Sequence, residues 1–208
     1  MSHGSDKPRR ASFRLPGYDY TQPGAYFVTI CTQNQASLFG EVVEGEMRLN
    51  VYGQIVHDEW AKTADIRQNV QLDSYMVMPN HFHAIIILAD VAATTHADVA
   101  ATRRVAPTGP KPGSIGAIIG QFKSVVAKRI NEARLASGTR VWQRNYFEHV
   151  IRSEDELDAI RKYIAENPMR WEFDRENPGR RHHAVALQLG KTDAPKDEIE
   201  RIFGGIRP

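Results

Sequence analysis

The segment His81–Leu88 (HFHAIIIL) is the sequence feature that most constrains the fold. It contains most of the longest apolar run of the chain, Ala84 to Ala89, which is far shorter than the 18 or so apolar residues of a membrane span. A short apolar run that follows the turn residues Pro79-Asn80 is typical of a buried β-strand. We therefore expect this strand in the middle of a sheet, in a protein without a membrane-spanning helix.

The composition is that of an ordinary globular protein. The chain has 208 residues, of which 41% are hydrophobic and 25% charged, enough for one domain with a packed core. The single cysteine, Cys31, excludes a disulfide framework and a four-cysteine zinc site. Residues 1–10 contain no apolar segment of the kind found in secretory signals, so we expect a cytoplasmic protein.

Periodicity and capping residues predict the element order β, ββ, α, ββ, α, β, α. Asn50 and Ser114 are predicted to cap helices, and Ser153 opens a capping box. An antiparallel sheet with helices packed on it, an α+β sandwich, follows from this order. No glycine-rich phosphate-binding motif of the Rossmann or P-loop type is present. The predicted strands cover 25–32, 70–78, 81–88 and 141–151, with a hairpin over 38–49, and the predicted helices cover 51–64, 115–135 and 154–166.

Two segments are predicted to lie outside this domain, which covers residues 21–174, and a third is predicted to be a flexible insert within it. Residues 1–20 are polar and basic and resemble an arm, and residues 175–208 form a polar tail with a possible short helix near Lys196 to Phe203. Residues 89–113 contain a tandem duplication, ADVAATTH followed by ADVAATRR, and then a stretch rich in proline and glycine. This insert has too little apolar bulk to pack, so we expect a flexible connection between a strand and a helix.

Charge is distributed unevenly although the net charge is only +2. Residues 103–152 contain ten lysines and arginines against two acidic residues, whereas residues 35–75 contain three against seven. This asymmetry favours a surface that binds a polyanion. The alternative is an ordinary solvated helix surface.

The pattern His81-Phe82-His83 is the first candidate for chemistry. Side chains at i and i+2 of a strand point to the same face, so the two imidazoles can converge on one divalent metal ion while Phe82 packs on the opposite face. The alternative is two histidines that only hydrogen-bond to sheet neighbours. No third histidine follows at position 85, which is isoleucine, and no H-E-x-x-H motif is present. This donor set disfavours zinc and favours Mg²⁺ or Mn²⁺ completed by oxygen ligands.

Tyr163 and Asn167 form the second candidate, because a separation of four residues places them on one side of a helix. The phenol could act as a nucleophile and the amide oxygen could complete the metal site. The alternative is a tyrosine that flanks the apolar stripe of its helix. Tyr146 and Tyr75 are rival nucleophiles.

Four segments of the sequence together resemble the REP-associated tyrosine transposases, relatives of the insertion-sequence transposases in the HUH single-strand endonuclease superfamily. The resemblance covers roughly residues 9–174 without the insert, and the M-P-N-H-x-H pattern at 78–83 is its most distinctive part. The segments are RRASFRLPGYDYTQPGAYFVTICTQNQASLFGEV, MVMPNHFHAIIIL, IGAIIGQFKSVVAKRIN and VWQRNYFEHVIRSEDELDAIRKYIAENPMRW.

This resemblance implies a ferredoxin-like nuclease sandwich, a metal site and a mechanism. His81 and His83 would bind Mg²⁺ or Mn²⁺, Asn167 would be a third ligand, and Tyr163 would attack a phosphate of single-stranded DNA. The products would be a 5′-phosphotyrosine enzyme and a free 3′-hydroxyl, which can rejoin without ATP. Relatives recognise imperfect hairpins, so the implied partner is hairpin DNA of a repetitive palindromic element, bound by a monomer or a homodimer.

The basic half supplies the candidates for DNA contacts. Besides Arg14 in the arm, they are Lys123, Lys128, Arg129, Arg144 and Arg152. A DNA-bound protein of this kind would associate with the nucleoid. Two other functions stay open at this stage: a catalytically inactive, domesticated hairpin-binding protein, and a metal-dependent phosphoesterase unrelated to transposition.

Overall fold

A computed structural model of the chain describes residues 17–90 and 110–179. These residues form an α+β protein, as the element order predicts. Its strands are β1 (Gly24–Cys31), β2 (Gly40–Val43), β3 (Glu46–Leu49), β4 (Val70–Val77), β5 (His81–Leu88) and β6 (Phe147–Ile151). Its helices are α1 (Val51–Asp65), α2 (Ile115–Ala133) and α3 (Glu154–Glu166), followed by a 3-10 helix at Pro168–Phe173.

The main sheet is antiparallel, with the strand order β4-β5-β1-β6. β5 pairs with β4 on one side and with β1 on the other, which confirms the prediction that the most apolar strand is central. β2 and β3 form a separate hairpin that turns at Glu44-Gly45, where both residues have positive φ. The fold class is therefore the predicted one, an antiparallel sheet with helices packed on it.

The helices begin where the capping residues predict. The Asn50 side chain accepts from the amides of Tyr52 and Gly53, and the Ser114 and Ser153 hydroxyls accept from the amides three residues on. α2 ends two residues before the predicted Leu135, which has a left-handed φ of 53°. A backbone in that region cannot continue a right-handed helix, so α2 ends there.

The two faces of the main sheet pack against different helices. The face that we call the core face carries the even-numbered residues of β1 and β5, such as Tyr26, Val28 and Phe82, and buries them against α1 and α2. The opposite face, the site face, packs Phe27 and Ile85 against α3. Among the described helices, α3 packs on the site face, and the residues at the His81 end of β5 lie beside α3 and the chain that follows it.

The segment between α2 and β6 extends the sheet irregularly. The Gln33 amide donates to the Val141 carbonyl over 2.8 Å, and the Gln143 amide donates to the Cys31 carbonyl over 2.9 Å. The predicted strand over 141–151 is thus split into a short bridge near Trp142 and β6 itself. Trp142 is buried against aromatic rings of the core.

Several predicted features lie outside the described residues. They are Arg14 and most of the basic arm, positions 91–109 of the insert, and the short helix near 196–203. Within residues 17–90 and 110–179, no helix combines the length and apolar character that crossing a membrane requires.

Candidate active site

The two histidines of β5 lie side by side on the site face. Their ring centroids are 4.4 Å apart, and the side chain of Phe82 between them packs into the core face against Trp60 and Phe122. Both imidazoles are fully buried. The convergence that the i, i+2 spacing predicts is therefore present in the structure.

His81 and His83 differ in their hydrogen-bond partners. His81 Nδ1 lies 2.8 Å from Asn80 Oδ1, while its Nε2 is buried and has no partner among the described residues. His83 Nδ1 lies 2.9 Å from the Thr29 hydroxyl, and its Nε2 lies 3.2 Å from the Tyr163 hydroxyl. The two rings are thus oriented by different neighbours.

Tyr163 reaches the histidines from α3. Its ring is buried, packs edge-on against Phe27, and lies 5.2 Å from the His83 ring between centroids. α3 is attached to β4 by a bidentate pair in which Arg161 donates to both Asp73 oxygens, over 3.0 and 2.7 Å. This pair helps to hold α3 in position on the sheet. It also keeps the pKa of Asp73 below its usual value.

Asn167 closes the site where α3 passes into the 3-10 helix. Its amide nitrogen donates to Asp174 Oδ2 over 3.0 Å, and its Oδ1 is buried with no partner in the described chain. Ligand atoms of His81, His83 and Asp174 all lie within 4.8 Å of one another. Asp174 was not predicted from the sequence, because it follows a short 3-10 helix and belongs to no periodic pattern.

These donors suit a hard divalent cation. His81 Nε2 and Asn167 Oδ1 are buried polar atoms without a hydrogen-bond partner among the described residues, which is costly unless a bound group satisfies them. Two imidazoles with amide and carboxylate oxygens form the mixed nitrogen and oxygen set that Mn²⁺ accepts, and the oxygens also suit Mg²⁺. The residues present therefore fit a divalent metal ion.

Burial keeps both imidazoles neutral. It lowers the pKa of His81, against which the nearby Asp174 and Glu176 carboxylates act, and it lowers the pKa of His83 well below the usual value, with His81 adding to the effect. A neutral imidazole has a lone pair available for a metal ion at pH 7. The pair is thus ready to bind a cation without first losing protons.

The chain after the 3-10 helix covers the site. The Glu176 carbonyl accepts from Asn80 Nδ2 over 2.6 Å, and the Glu176 carboxylate accepts from Gln35 Nε2 over 2.8 Å. The ring of Trp171 lies 5.9 Å from that of His81. In this arrangement, Tyr163 is only 7% exposed.

The rival tyrosines are placed elsewhere. The Tyr146 hydroxyl donates to Glu148 Oε2 over 2.7 Å. Tyr75 lies on the core face, where its ring contacts Phe82 and His57. Only Tyr163 of the three candidates lies beside the histidine pair.

The predicted DNA contacts divide into two groups, and the side chains of the first group contact other residues of the protein. Lys123 Nζ donates to the carbonyls of Gln143 and Arg144 over 2.7 and 3.1 Å, and burial lowers its pKa to about 8. Arg129 pairs with Glu59, and Lys128 lies 3.9 Å from Glu132.

Arg144 and Arg152 form the other group and flank the edge strand β6. Both are exposed, and no ion pair engages their side chains in the described parts of the chain.

Comparisons with known proteins agree with this architecture. No family model matches the chain. An uncharacterized protein of Haemophilus influenzae is 37% identical over 168 residues, which covers 80% of this chain and 92% of that protein. The solved structure of a REP-associated tyrosine transposase bound to a REP hairpin superposes with a TM-score of 0.52 at 18% identity, over 91% of this chain and 93% of that one.

The two matches establish different things. Identity of 37% over most of both chains establishes common membership of one family, whereas the structural match at 18% identity establishes the fold. The chain therefore belongs to the family of the uncharacterized Haemophilus influenzae protein and has the fold of a REP-associated tyrosine transposase.

Proposed function

We propose that the protein is a metal-dependent endonuclease and strand transferase that cleaves single-stranded DNA next to a hairpin, with Tyr163 as the nucleophile. The observation that carries this proposal is the 3.2 Å distance between the Tyr163 hydroxyl and His83 Nε2, across 80 residues of sequence. It supports the role that resemblance to the tyrosine transposases gives to Tyr163. The solved relative of the same fold is bound to a REP hairpin, so the proposed substrate is hairpin DNA of a palindromic repeat.

In the proposed site, His81 and His83 would hold Mn²⁺ or Mg²⁺ together with oxygens of Asn167 or Asp174. The bound ion would offset the negative charge that develops on the scissile phosphate. A phenol has a pKa of about 10, so Tyr163 needs a positive neighbour to react as the phenolate. The contact of this hydroxyl with His83 supports a short distance between Tyr163 and the proposed ion.

The proposed reaction is a transesterification. The Tyr163 oxygen forms a bond to phosphorus, and the bond from phosphorus to the 3′ oxygen breaks. The phenol proton passes to solvent, and the departing 3′ oxygen takes a proton from solvent. The 5′ end stays on the tyrosine, so a strand with a 3′-hydroxyl can reverse the step and no nucleotide cofactor is consumed.

Arg144 and Arg152 are the proposed phosphate contacts, because among the described members of the predicted set their side chains are exposed and engage in no ion pair. Lys123 and Arg129 have partners within the fold, and Lys128 has a long contact with Glu132. Alanine at Arg144 and at Arg152 together should weaken hairpin binding and lower the slope of log affinity against log salt by about 2. Arg48→Ala, at an exposed arginine of the β2–β3 hairpin, is the control and should leave that slope unchanged.

A second candidate function is hairpin binding without cleavage. The burial of Tyr163, His81 and Asn167 favours it, because a phosphate reaches the tyrosine only when the covering segment moves. The two candidates predict the same DNA binding and differ in covalent chemistry.

The deciding experiment measures a covalent adduct. The full chain is incubated with Mn²⁺ and a labelled hairpin oligonucleotide that has a single-stranded flank, and the product is run on a denaturing gel. We expect an adduct with the unmodified protein and with Tyr75→Phe and Tyr146→Phe, and none with Tyr163→Phe. Binding without an adduct would favour the second candidate, and cleavage that persists in Tyr163→Phe would favour a metal-dependent phosphoesterase.

A second experiment separates the two candidate oxygen ligands. Asn167→Ala and Asp174→Ala are compared by Mn²⁺ titration, with Glu172→Ala in the exposed part of the 3-10 helix as the control. The variant that loses more affinity identifies the third ligand. The sequence predicts Asn167, whereas the proximity of Asp174 to both histidines makes the carboxylate a direct competitor.

A further inference from the structure

Asn80 is a fully buried polar residue in the tight turn between β4 and β5, immediately before His81. Its side chain makes three hydrogen bonds. The amide nitrogen lies 3.2 Å from the Gln35 carbonyl and 2.6 Å from the Glu176 carbonyl, and the amide oxygen lies 2.8 Å from His81 Nδ1.

The two carbonyls determine how the amide is oriented. A carbonyl oxygen can only accept a hydrogen bond, so the end of Asn80 that faces both of them must be the NH₂ group. The other end, which faces His81, must then be the oxygen. This assignment follows from the chemistry of the partners, since exchanging the nitrogen and oxygen would place one acceptor against two others.

The orientation of Asn80 determines in turn which nitrogen of His81 carries the proton. An amide oxygen can only accept, so His81 Nδ1 must donate to it. In a neutral imidazole the lone pair is then on Nε2, the buried atom that has no hydrogen-bond partner among the described residues. We propose that Asn80 is a positioning residue that holds His81 in its Nδ1-protonated tautomer and so directs the Nε2 lone pair to the metal position.

His83 has no such constraint. Its neighbours are the hydroxyls of Thr29 and Tyr163, and each of them can donate or accept. The tautomer of His83 can therefore change when Tyr163 or a metal ion changes its bonding, while the tautomer of His81 cannot. The role of Asn80 rests on the proposed metal site but does not require that the protein cleave DNA.

The direct test is the tautomer of His81 in the metal-free protein, measured by ¹⁵N NMR of the imidazole nitrogens. We expect the proton on Nδ1 in the unmodified protein. A proton on Nε2 of His81 would overturn the proposal, whatever the activity of the protein on DNA.

The second test compares two substitutions by Mn²⁺ titration. Asn80→Ala removes the acceptor and should weaken Mn²⁺ binding by about 10- to 100-fold, the usual effect of losing such an orienting partner. Asn80→Asp keeps an acceptor for Nδ1 and should retain the His81 tautomer and most of the Mn²⁺ affinity, although it loses both carbonyl bonds. Asn131→Ala, which removes a comparable bond from an amide on α2 to the Thr139 carbonyl, should leave Mn²⁺ affinity unchanged.

These variants distinguish positioning from a merely structural role. If Asn80 only supported the turn, Asn80→Asp would lose at least as much Mn²⁺ affinity as Asn80→Ala, because its carboxylate repels the two carbonyls. That outcome would contradict the proposal.

If both variants fail to fold, the His81 tautomer of the unmodified protein decides between the two roles. Retained tautomer and Mn²⁺ binding without DNA cleavage would leave the role of Asn80 intact and refute the proposed nuclease.

Discussion

The two faces of the main sheet are built from alternate residues of the same strands and have different roles. On the core face, Val28 and Phe82 are buried among aliphatic and aromatic side chains of α1 and α2. On the site face, their chain neighbours Thr29 and His83 are just as buried but hydrogen-bond to each other. Burial alone therefore does not separate structure from function in this protein, whereas the chemistry of the buried atoms does.

The two faces also differ in how burial contributes to the stability of the fold. Apolar burial is favourable without further conditions, but each buried polar group needs a partner, including the indole Nε1 atoms of Trp60 and Trp142 on the core face, which have none among the described residues. His81 Nε2 and Asn167 Oδ1 have none among the described residues. We therefore expect the core face to supply most of the stability and the site face to gain stability when a metal ion binds.

The largest expected effect is that of a core-face truncation. Phe82→Ala removes a fully buried ring that packs 5.0 Å from Trp60 and 5.4 Å from Phe122 between centroids. The free energy of unfolding should fall by about 3–5 kcal/mol, a large part of the total for a domain of this kind. Urea unfolding measures this fall in the free energy of unfolding. A fall under 1 kcal/mol would remove the distinction between the two faces.

The next effect is a loss of stability in mild acid that comes from the site face. The pKa values of His81 and His83 are lowered in the folded protein, so below the ordinary histidine pKa of about 6.5 the unfolded chain binds protons that the folded chain does not. The free energy of unfolding should be highest above pH 6.5 and should fall below it by up to about 1.4 kcal/mol per pH unit for each histidine. Urea unfolding from pH 7.5 to 5.5 without metal ions measures this slope.

The control for this prediction is the double variant His81→Gln with His83→Gln, which should flatten the slope. A slope that persists unchanged in that variant would assign the acid sensitivity to other groups.

A smaller effect is expected from the single substitution His83→Gln. It should reduce the free energy of unfolding of the metal-free protein by about 1–2 kcal/mol, because it removes two hydrogen bonds and the stacking on Phe27. The rise in melting temperature on adding Mn²⁺ should disappear, since binding to the folded state alone produces that rise. An undiminished rise would show that the ion binds elsewhere.

The smallest effect is expected at the pair that attaches α3 to β4. Asp73→Asn should cost at most about 1 kcal/mol, because Arg161 is partly exposed. The pKa of Asp73 is lowered in the folded protein, so its contribution is present above the ordinary aspartate pKa and is lost as the pH falls through the folded value. Asp158→Asn removes the exposed partner of the same arginine and should have no measurable effect in urea unfolding at pH 7.

Local rules allowed most of the framework to be predicted from the sequence. The bounds of β5 and α3 and the capping residues Asn50, Ser114 and Ser153 depend on neighbours within a few positions. The common orientation of His81 and His83 follows from the two-residue period of a strand. These features are confirmed because no distant contact is needed to fix them.

Features that depend on distant contacts could not be predicted from spacing. The meeting of Tyr163 with His83 was implied only by resemblance, since nothing local relates positions 80 residues apart. Asp174 was missed for the same reason. Lys123 was predicted as a surface cation from its place on the helix, but the loop at Gln143 and Arg144 lies over that side of α2 and accepts its hydrogen bonds.

The direction of β5 has a consequence for the tandem duplication that follows it. The strand begins at His81 and ends at Leu88, so its two ends are roughly 23 Å apart at the usual rise per residue. The duplicated octapeptide starts immediately after the distal end, and the chain rejoins the described fold at Pro110. Gain or loss of a copy in evolution would therefore change the length of the chain after the end of β5 that is distal to His81, and variants that differ in repeat number should keep the same candidate metal site.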